Sequence, residues 1–294
     1  MKKIFLRFCN MLKMIRGYFF QYKVNVMSNE QTLSEIEDKR LSVIRLGDGE
    51  FSLIRGENIL YQKYNKDLQK NILKILLDGT RDGVLVCISD VFSGLKKYNF
   101  ECHKFHYESF FYQNRKILKQ LSRSGKTYGS AYISRPYIEL KDKSNSGDFF
   151  EKLKRLWYKK DLLIVEGKYT RSGEGNDLFE RANSISRIVI PSKNAYDKIK
   201  EIEEQIIKYA GNRLILLMAG PTSKIIIRDL KINRKMENQF IDIGHLDSEY
   251  EWFKMGATRK VKIPHKHTAE FNEDNGIVLR NNSTYNSEVV SIIQ

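Results

Sequence analysis

The sequence predicts an α/β domain in which a mostly parallel, Rossmann-like sheet carries helices on both faces. Three observations carry the prediction. Short runs rich in Val, Ile and Leu recur from Leu41 onward, stretches of helical length and period separate them, and many end on glycine beside charged or hydroxyl residues. With 294 residues, 41% hydrophobic and 30% charged, the chain has the ordinary globular balance and is long enough to bury a full core.

In order, strands are expected at 41–46 (LSVIRL), 83–89, 127–133, 161–167, 187–191, 213–220 and 239–244, with helices near 66–78, 107–123, 148–158, 195–209, 222–230 and 248–254. LSEIEDKR ahead of the first strand reads as a helical turn, and LFERANS (178–184) as a helix opened by the loop before it. KIPHKH (262–267) alternates like an edge strand, which leaves His265 and His267 solvated. Four prolines and no Gly/Ser linker mark no internal boundary, so residues 28–271 read as one domain. The Asn- and Ser-rich stretch 272–294 reads as a loose tail.

Residues 1–27 form a separate unit. Up to position 26 they carry six basic side chains and no acidic one, and a 100° step gathers Ile4, Phe8, Met11, Leu12, Ile15 and Phe19 on one face. This basic amphipathic helix suits either an anionic membrane surface or a seat on the domain's own core. Arg7, Lys13 and Arg16 interrupt every apolar run, so neither a membrane span nor a signal peptide is expected. Three cysteines without CxxC spacing suggest neither a disulfide framework nor a thiolate zinc site. A cytoplasmic setting follows, with peripheral contact on the inner face of the plasma membrane through the first helix.

The net charge of +15 favours phosphate-rich partners: nucleic acid, an anionic membrane face or a nucleotide diphosphate. Basic residues are spread along the chain and no RRM, KH or helix-turn-helix signature occurs, so a nucleic-acid partner is not expected.

In an open α/β sheet, ligands lie beyond the carboxyl ends of the strands. After the first strand, Arg45-Leu46-Gly47-Asp48-Gly49-Glu50 sets two carboxylates between glycines that permit a sharp turn, a pair suited to a hard divalent cation; the plainer reading is a helix start capped by Asp48. After the fourth, Lys168 and Arg171 flank the loop Gly173-Glu174-Gly175-Asn176-Asp177, a plausible phosphate cradle at a helix start, or a simple cap. Lys193 and Asn194 follow the fifth strand, and Pro221 with the hydroxyls of Thr222 and Ser223 follows the sixth. The last strand end holds His245, Asp247 and Glu249 beside Tyr250 and Trp252, with Ser248 and Glu251 matching a capping box. One of the first three would accept the proton of an attacking hydroxyl, and the aromatics would stack on a sugar. His103 and His106, three apart, lack a carboxylate or Cys partner and are weak candidates for a metal.

Taken together, RLGDGE, SAYISRPYI, WYKKDLLIVEG, GEGNDLFERANSISRIVIPSKNAYDKI, LILLMAGPTSKIIIRDL and IDIGHLDSEYEWFKMGA resemble the bacterial glycosyltransferases of the GT-D fold, over roughly residues 40–265. The resemblance implies a UDP-sugar donor and a D-x-E metal motif at Asp48 and Glu50 for Mn²⁺ or Mg²⁺. By the same likeness, Gly173, Gly175, Asn176, Asp177, Lys193, Asn194, Pro221 and Thr222 would line the nucleotide pocket beside Gly47, Arg45 and Arg135. It implies a glycan, glycoprotein or lipid-linked acceptor in the building of surface polysaccharide or protein-linked glycans. A nucleotide-sugar hydrolase or pyrophosphorylase would share such a donor pocket.

Overall fold

The computed structural model describes residues 2–268, 270–271 and 276–294, residues 2–9 as backbone alone. In chain order the elements are α1 (Lys2–Phe19), β1 (Asn25–Val26), α2 (Asn29–Lys39), β2 (Ser42–Leu46), α3 (Asp48–Ile54), α4 (Lys66–Asp78), β3 (Val84–Ile88), α5 (Phe100–Phe105), α6 (Phe111–Gln113), α7 (Arg115–Arg123) and β4 (Thr127–Ser130). There follow α8 (Ser146–Arg155), β5 (Asp161–Gly167), β6 (Ser184–Ile190), α9 (Ile199–Ala210), β7 (Leu214–Met218), α10 (Thr222–Ile227), β8 (Phe240–Asp242), α11 (Leu246–Lys254), α12 (Ser283–Glu288) and β9 (Val289–Ile292). All seven strands expected from the sequence are present.

The strands form one sheet in the order β1-β4-β3-β2-β8-β7-β5-β6-β9, and every pairing is parallel. Strand period explains why both faces are covered. Ile44, Val86, Val165 and Leu217 point into one apolar cluster, while their neighbours Val43, Leu85, Ile164 and Leu216 point into the other. The helices supply the facing residues: Leu68 and Ile72 of α4 and Ile202 and Ile206 of α9 pack on the first side, Phe149 and Phe150 of α8 and Leu246 and Trp252 of α11 on the second. Each fully buried aliphatic side chain stabilises the fold by about 1.5–3 kcal/mol relative to exposure.

The topology places the site. From β2 the chain steps outward to β3 and β4, crosses to β5 and β6, and returns through β7 to β8 beside β2. Strand order therefore reverses at the β2–β8 pair, which is joined in register only at Val43 and Ile241, and a crevice opens past it.

Three sequence expectations are corrected. LFERANS forms turns rather than a helix, because Trp157 and Leu178 pull the segment into the core, the indole Nε1 donating to the Leu178 carbonyl at 2.9 Å. KIPHKH forms no strand; the His267 amide donates to the Tyr169 carbonyl at 2.7 Å and ties the segment over the β5 end. The tail is not loose beyond Asn282: α12 and β9 close the sheet edge against β6, and the Tyr285 hydroxyl donates to buried Glu166 at 2.9 Å. Residues 272–275 of that stretch lie outside the described residues.

Candidate functional site

A cavity of about 980 Å³ lies at the carboxyl end of the sheet, walled by residues that follow β2, β3, β4, β5, β6, β7 and β8. Its floor is an ion-pair network built from three strand ends. The Arg45 guanidinium on β2 donates Nε to the Asp242 carbonyl at 2.7 Å, pairs with Asp242 Oδ1 at 3.1 Å, and reaches across to the Ala131 carbonyl at 3.2 Å and to Ser134 Oγ. It fits because Gly244 has no side chain: a Cβ there would stand 1.9 Å from Arg45 Nη2, at a φ of +44°. Lys224 of α10 sits between Asp242 Oδ2 at 2.8 Å and Glu50 Oε1 at 3.1 Å, and donates to the Gly220 carbonyl at 3.0 Å. Burial opposes ionisation of Asp242, but Lys224 and Arg45 outweigh it and hold its pKa below the usual value.

The D-x-E pair divides into two roles. Glu50 is buried at the third position of α3; its Oε2 accepts the Gly47 amide at 2.8 Å, while Oε1 is taken by Lys224. Asp48 does not cap the helix. It is exposed to the cavity and its carboxylate has no partner among the described residues. The donor set suits a hard cation held by Asp48 with diphosphate oxygens and water, which is how Mg²⁺ commonly binds. It does not suit a chelate by both carboxylates, since Glu50 would have to give up Lys224. In this arrangement Asp48 is the one of the pair whose carboxylate is unengaged among the described residues.

Other expected residues separate in the same way. Gly47, Arg45, Arg135 and Pro221 line the cavity. Arg45 commits four of its five guanidinium N–H groups to protein, and Arg135 is held by Glu139 at 3.0 Å and Glu270 at 2.6 Å, so neither offers a free fork to phosphate. The loop after β5 is corrected as a cradle. Arg171 pairs with Glu174 under the Tyr285 ring; Gly173 donates its amide to Asp247 and packs on Phe179; Gly175 lies beside Arg280. Asn176 donates to Asp247 at 2.9 Å and Glu251 at 2.7 Å, and Asp177 binds Lys154 at 2.8 Å and the Tyr250 hydroxyl at 2.9 Å. None of these five lines the cavity, whose β5 wall is made instead by Gly167, Tyr169 and Thr170. Lys193 and Asn194 also stand outside it, their places taken by Ser192 and Ala195. Thr222 is buried with its hydroxyl unpartnered, and Ser223 Oγ accepts the Ala219 amide.

At the β8 end, Asp247 lines the cavity but is saturated by the Gly173 amide, Asn176 and Lys266, the last at 2.9 Å. Glu249 turns away, accepting the Ile138 amide at 3.0 Å, and burial pushes its pKa up to about 7. His245 lines the cavity with no hydrogen bond to its ring among the described residues; burial, then Arg135, lowers its pKa to about 3, so it stays neutral at physiological pH. The Ser248–Glu251 box does not form, because α11 already begins at Leu246 and Glu251 binds Asn176 and Lys266. Trp252 and Tyr250 are core residues, not sugar platforms. His106 also lines the cavity, lowered in pKa by burial, and His267 joins the wall instead of being solvated.

Two residues escaped the sequence reading. Tyr61 sits on the strap between α3 and α4, its ring 2.9 Å from where a Gly220 Cβ would stand and its hydroxyl 3.3 Å from that of Gly49. Asn194 pins this strap, its amide donating to the Tyr61 carbonyl at 2.8 Å and its Oδ1 accepting the Lys63 amide at 2.8 Å. Arg259 lines the rim, exposed and without a partner among the described residues. Neither follows a strand, so inspection of strand ends passes over both.

Comparison with known proteins places the chain in a family. The family model "Glycosyltransferase GT-D fold" matches residues 43–271. The chain is 44% identical over 269 residues to "Probable glycosyl transferase Gly" of Streptococcus gordonii and 43% identical over 276 residues to "Glycosyltransferase GlyD" of Streptococcus pneumoniae serotype 4. Each match takes in 92% of this chain but only 39% and 33% of those relatives, so the chain spans about a third to two fifths of their length. Among solved structures, "A New Glycosyltransferase (DUF1792) from Streptococcus sanguinis" superposes with a TM-score of 0.89 at 44% identity, covering 92% of this chain and 100% of that one. "The highly conserved domain of unknown function 1792 has a distinct glycosyltransferase fold" gives 0.87 at 44%, covering 97% and 100%. The chain belongs to the glycosyltransferase family of the GT-D fold.

Proposed function

We propose that the chain transfers a hexose or N-acetylhexosamine from a UDP-sugar to a glycan acceptor, carried on protein or lipid, in surface-polysaccharide or glycoprotein synthesis. The observation that carries the reading is Asp48, an unpaired carboxylate facing the strand-end cavity from a floor that Arg45, Asp242, Lys224 and Glu50 hold rigid. Asp48 would hold Mn²⁺ or Mg²⁺ together with diphosphate oxygens; when bound, such a cation acts as a Lewis acid that stabilises the departing diphosphate. Arg259 at the rim offers a cation to the nucleotide's phosphates, and Tyr61 covers the strand-end turns at Gly49 and Gly220.

In the reaction an acceptor hydroxyl oxygen bonds to the anomeric carbon, the bond from that carbon to the diphosphate oxygen breaks, UDP leaves, and the hydroxyl proton passes to the departing diphosphate or to water. His245 is the one residue of the His245, Asp247 and Glu249 cluster with an unengaged group at the cavity, and its neutral ring can orient the acceptor hydroxyl. A panel of nucleotide sugars with and without Mn²⁺ tests the reading. Release of UDP with the sugar carried onto an added glycan acceptor supports it; release of UDP and free sugar alone whatever acceptor is added, or of UMP and sugar phosphate, would instead indicate a nucleotide-sugar hydrolase.

A further inference from the structure

The sequence leaves open whether the amphipathic N-terminal helix seats on the domain or on a membrane, and the structure divides these roles between its two sides. α1 packs on the helical stretch formed by α5, a π turn at His106–Phe110 and α6. Its seat is the side carrying Asn10, Met14 and Gly17; a Cβ at Gly17 would stand 1.9 Å from the Tyr107 carbonyl oxygen, so only glycine lets the backbones meet there. The Arg16 guanidinium lies 3.6 Å over the Tyr112 ring and secures the contact. This is not the apolar side. Met11, Leu12, Ile15, Tyr18 and Phe19 fall within an arc of about 120° on the far side of the helix. They are 48–75% exposed.

A contiguous apolar stripe of this kind on a charged protein marks a surface that meets something. Its surroundings choose the occupant: the helix carries Lys2, Lys3, Arg7, Lys13 and Arg16 and no acidic residue. No helix among the described residues is long and apolar enough to cross a membrane. We propose that α1 lies in the headgroup layer of an anionic membrane, its apolar stripe toward the acyl chains, while Gly17 keeps it fastened to the domain. The helical stretch beneath it contributes Cys102, Phe105 and His106 to the cavity wall, so the membrane meets the molecule beside the cavity. The inference stands independently of the donor and the metal.

Co-sedimentation of the full chain with phosphatidylcholine vesicles, with and without phosphatidylglycerol, tests it. The expected result is sedimentation with the anionic vesicles and about tenfold less with neutral ones. The triple variant L12S/I15S/F19S, altered only on the exposed stripe, should lose anionic-vesicle binding by about tenfold or more while keeping its melting temperature. Sedimentation of the variant equal to that of the unaltered chain, or no sedimentation with anionic vesicles at all, overturns the proposal. So does a dimer that the triple variant converts to a monomer without any change in vesicle binding, which would assign the stripe to a second copy.

Discussion

At the scale of residues, the two carboxylates of RLGDGE do different work. Asp48→Asn should abolish transfer, by about 10³-fold or more, with an unchanged melting temperature, because its exposed carboxylate makes no hydrogen bond or ion pair among the described residues. Glu50→Ala should also lower the melting temperature, by the equivalent of about 2–4 kcal/mol, because it removes the Gly47 cap and one partner of buried Lys224. Activity assays beside thermal melts check this; equal, unperturbed melts for both variants would mean that the network at the floor is not structural. A pH effect follows from Glu249 and from Glu203, both raised to about 7, chiefly by burial. The folded chain keeps protons that the unfolded chain, with carboxyls near 4.5, has lost, so this stabilisation is full below pH 4.5 and disappears as pH rises through about 7. Glu249→Gln, which mimics the protonated acid, should flatten the fall in melting temperature over that window, leaving the share of Glu203. An unaltered slope would remove Glu249 from the account. By the same reasoning His245, lowered to about 3, should give no activity limb near neutral pH.

At the scale of elements, legibility followed sequence distance. Strand runs were readable because their signal is local, β2 being apolar except for Ser42 and Arg45, whereas the start of α3 was misplaced by one residue, Gly47 standing where Asp48 was expected to cap. The loop Gly173–Asp177 misled because glycine, Asn and Asp are equally good for a phosphate cradle and for a turn. What decided between them was Asp247, Glu251 and Lys154, distant partners that satisfied the loop internally. The C-terminal segment misled for a similar reason. Its Asn and Ser content looks solvated, but Tyr285 reaches the buried Glu166–Arg187 pair and β9 completes the sheet. Deleting residues 283–294 should therefore cost about 2–4 kcal/mol in denaturant titrations. A loose tail would leave the midpoint unmoved.

At the scale of the whole molecule, the parallel sheet was legible because both of its faces are buried, which writes each strand as a short hydrophobic run. Strand ends then located the cavity without any knowledge of strand order. The order itself, with β8 returning beside β2, was not readable, and it is the order that brings Asp242 to Arg45 and Lys224 to Glu50. Tyr61 and Arg259 complete the cavity from outside the strand ends, so mutation of either should weaken donor binding while preserving the fold. Under the proposed function, Asp48 links a divalent cation to the donor's diphosphate in this cavity. Calorimetric titration of UDP into the unaltered chain and Asp48→Asn, each in Mn²⁺ and in EDTA, tests it most directly. Mn²⁺ should tighten UDP binding about tenfold or more for the unaltered chain and hardly at all for Asp48→Asn, the two agreeing in EDTA. Equal tightening by Mn²⁺ in both proteins, or none in either, would contradict it.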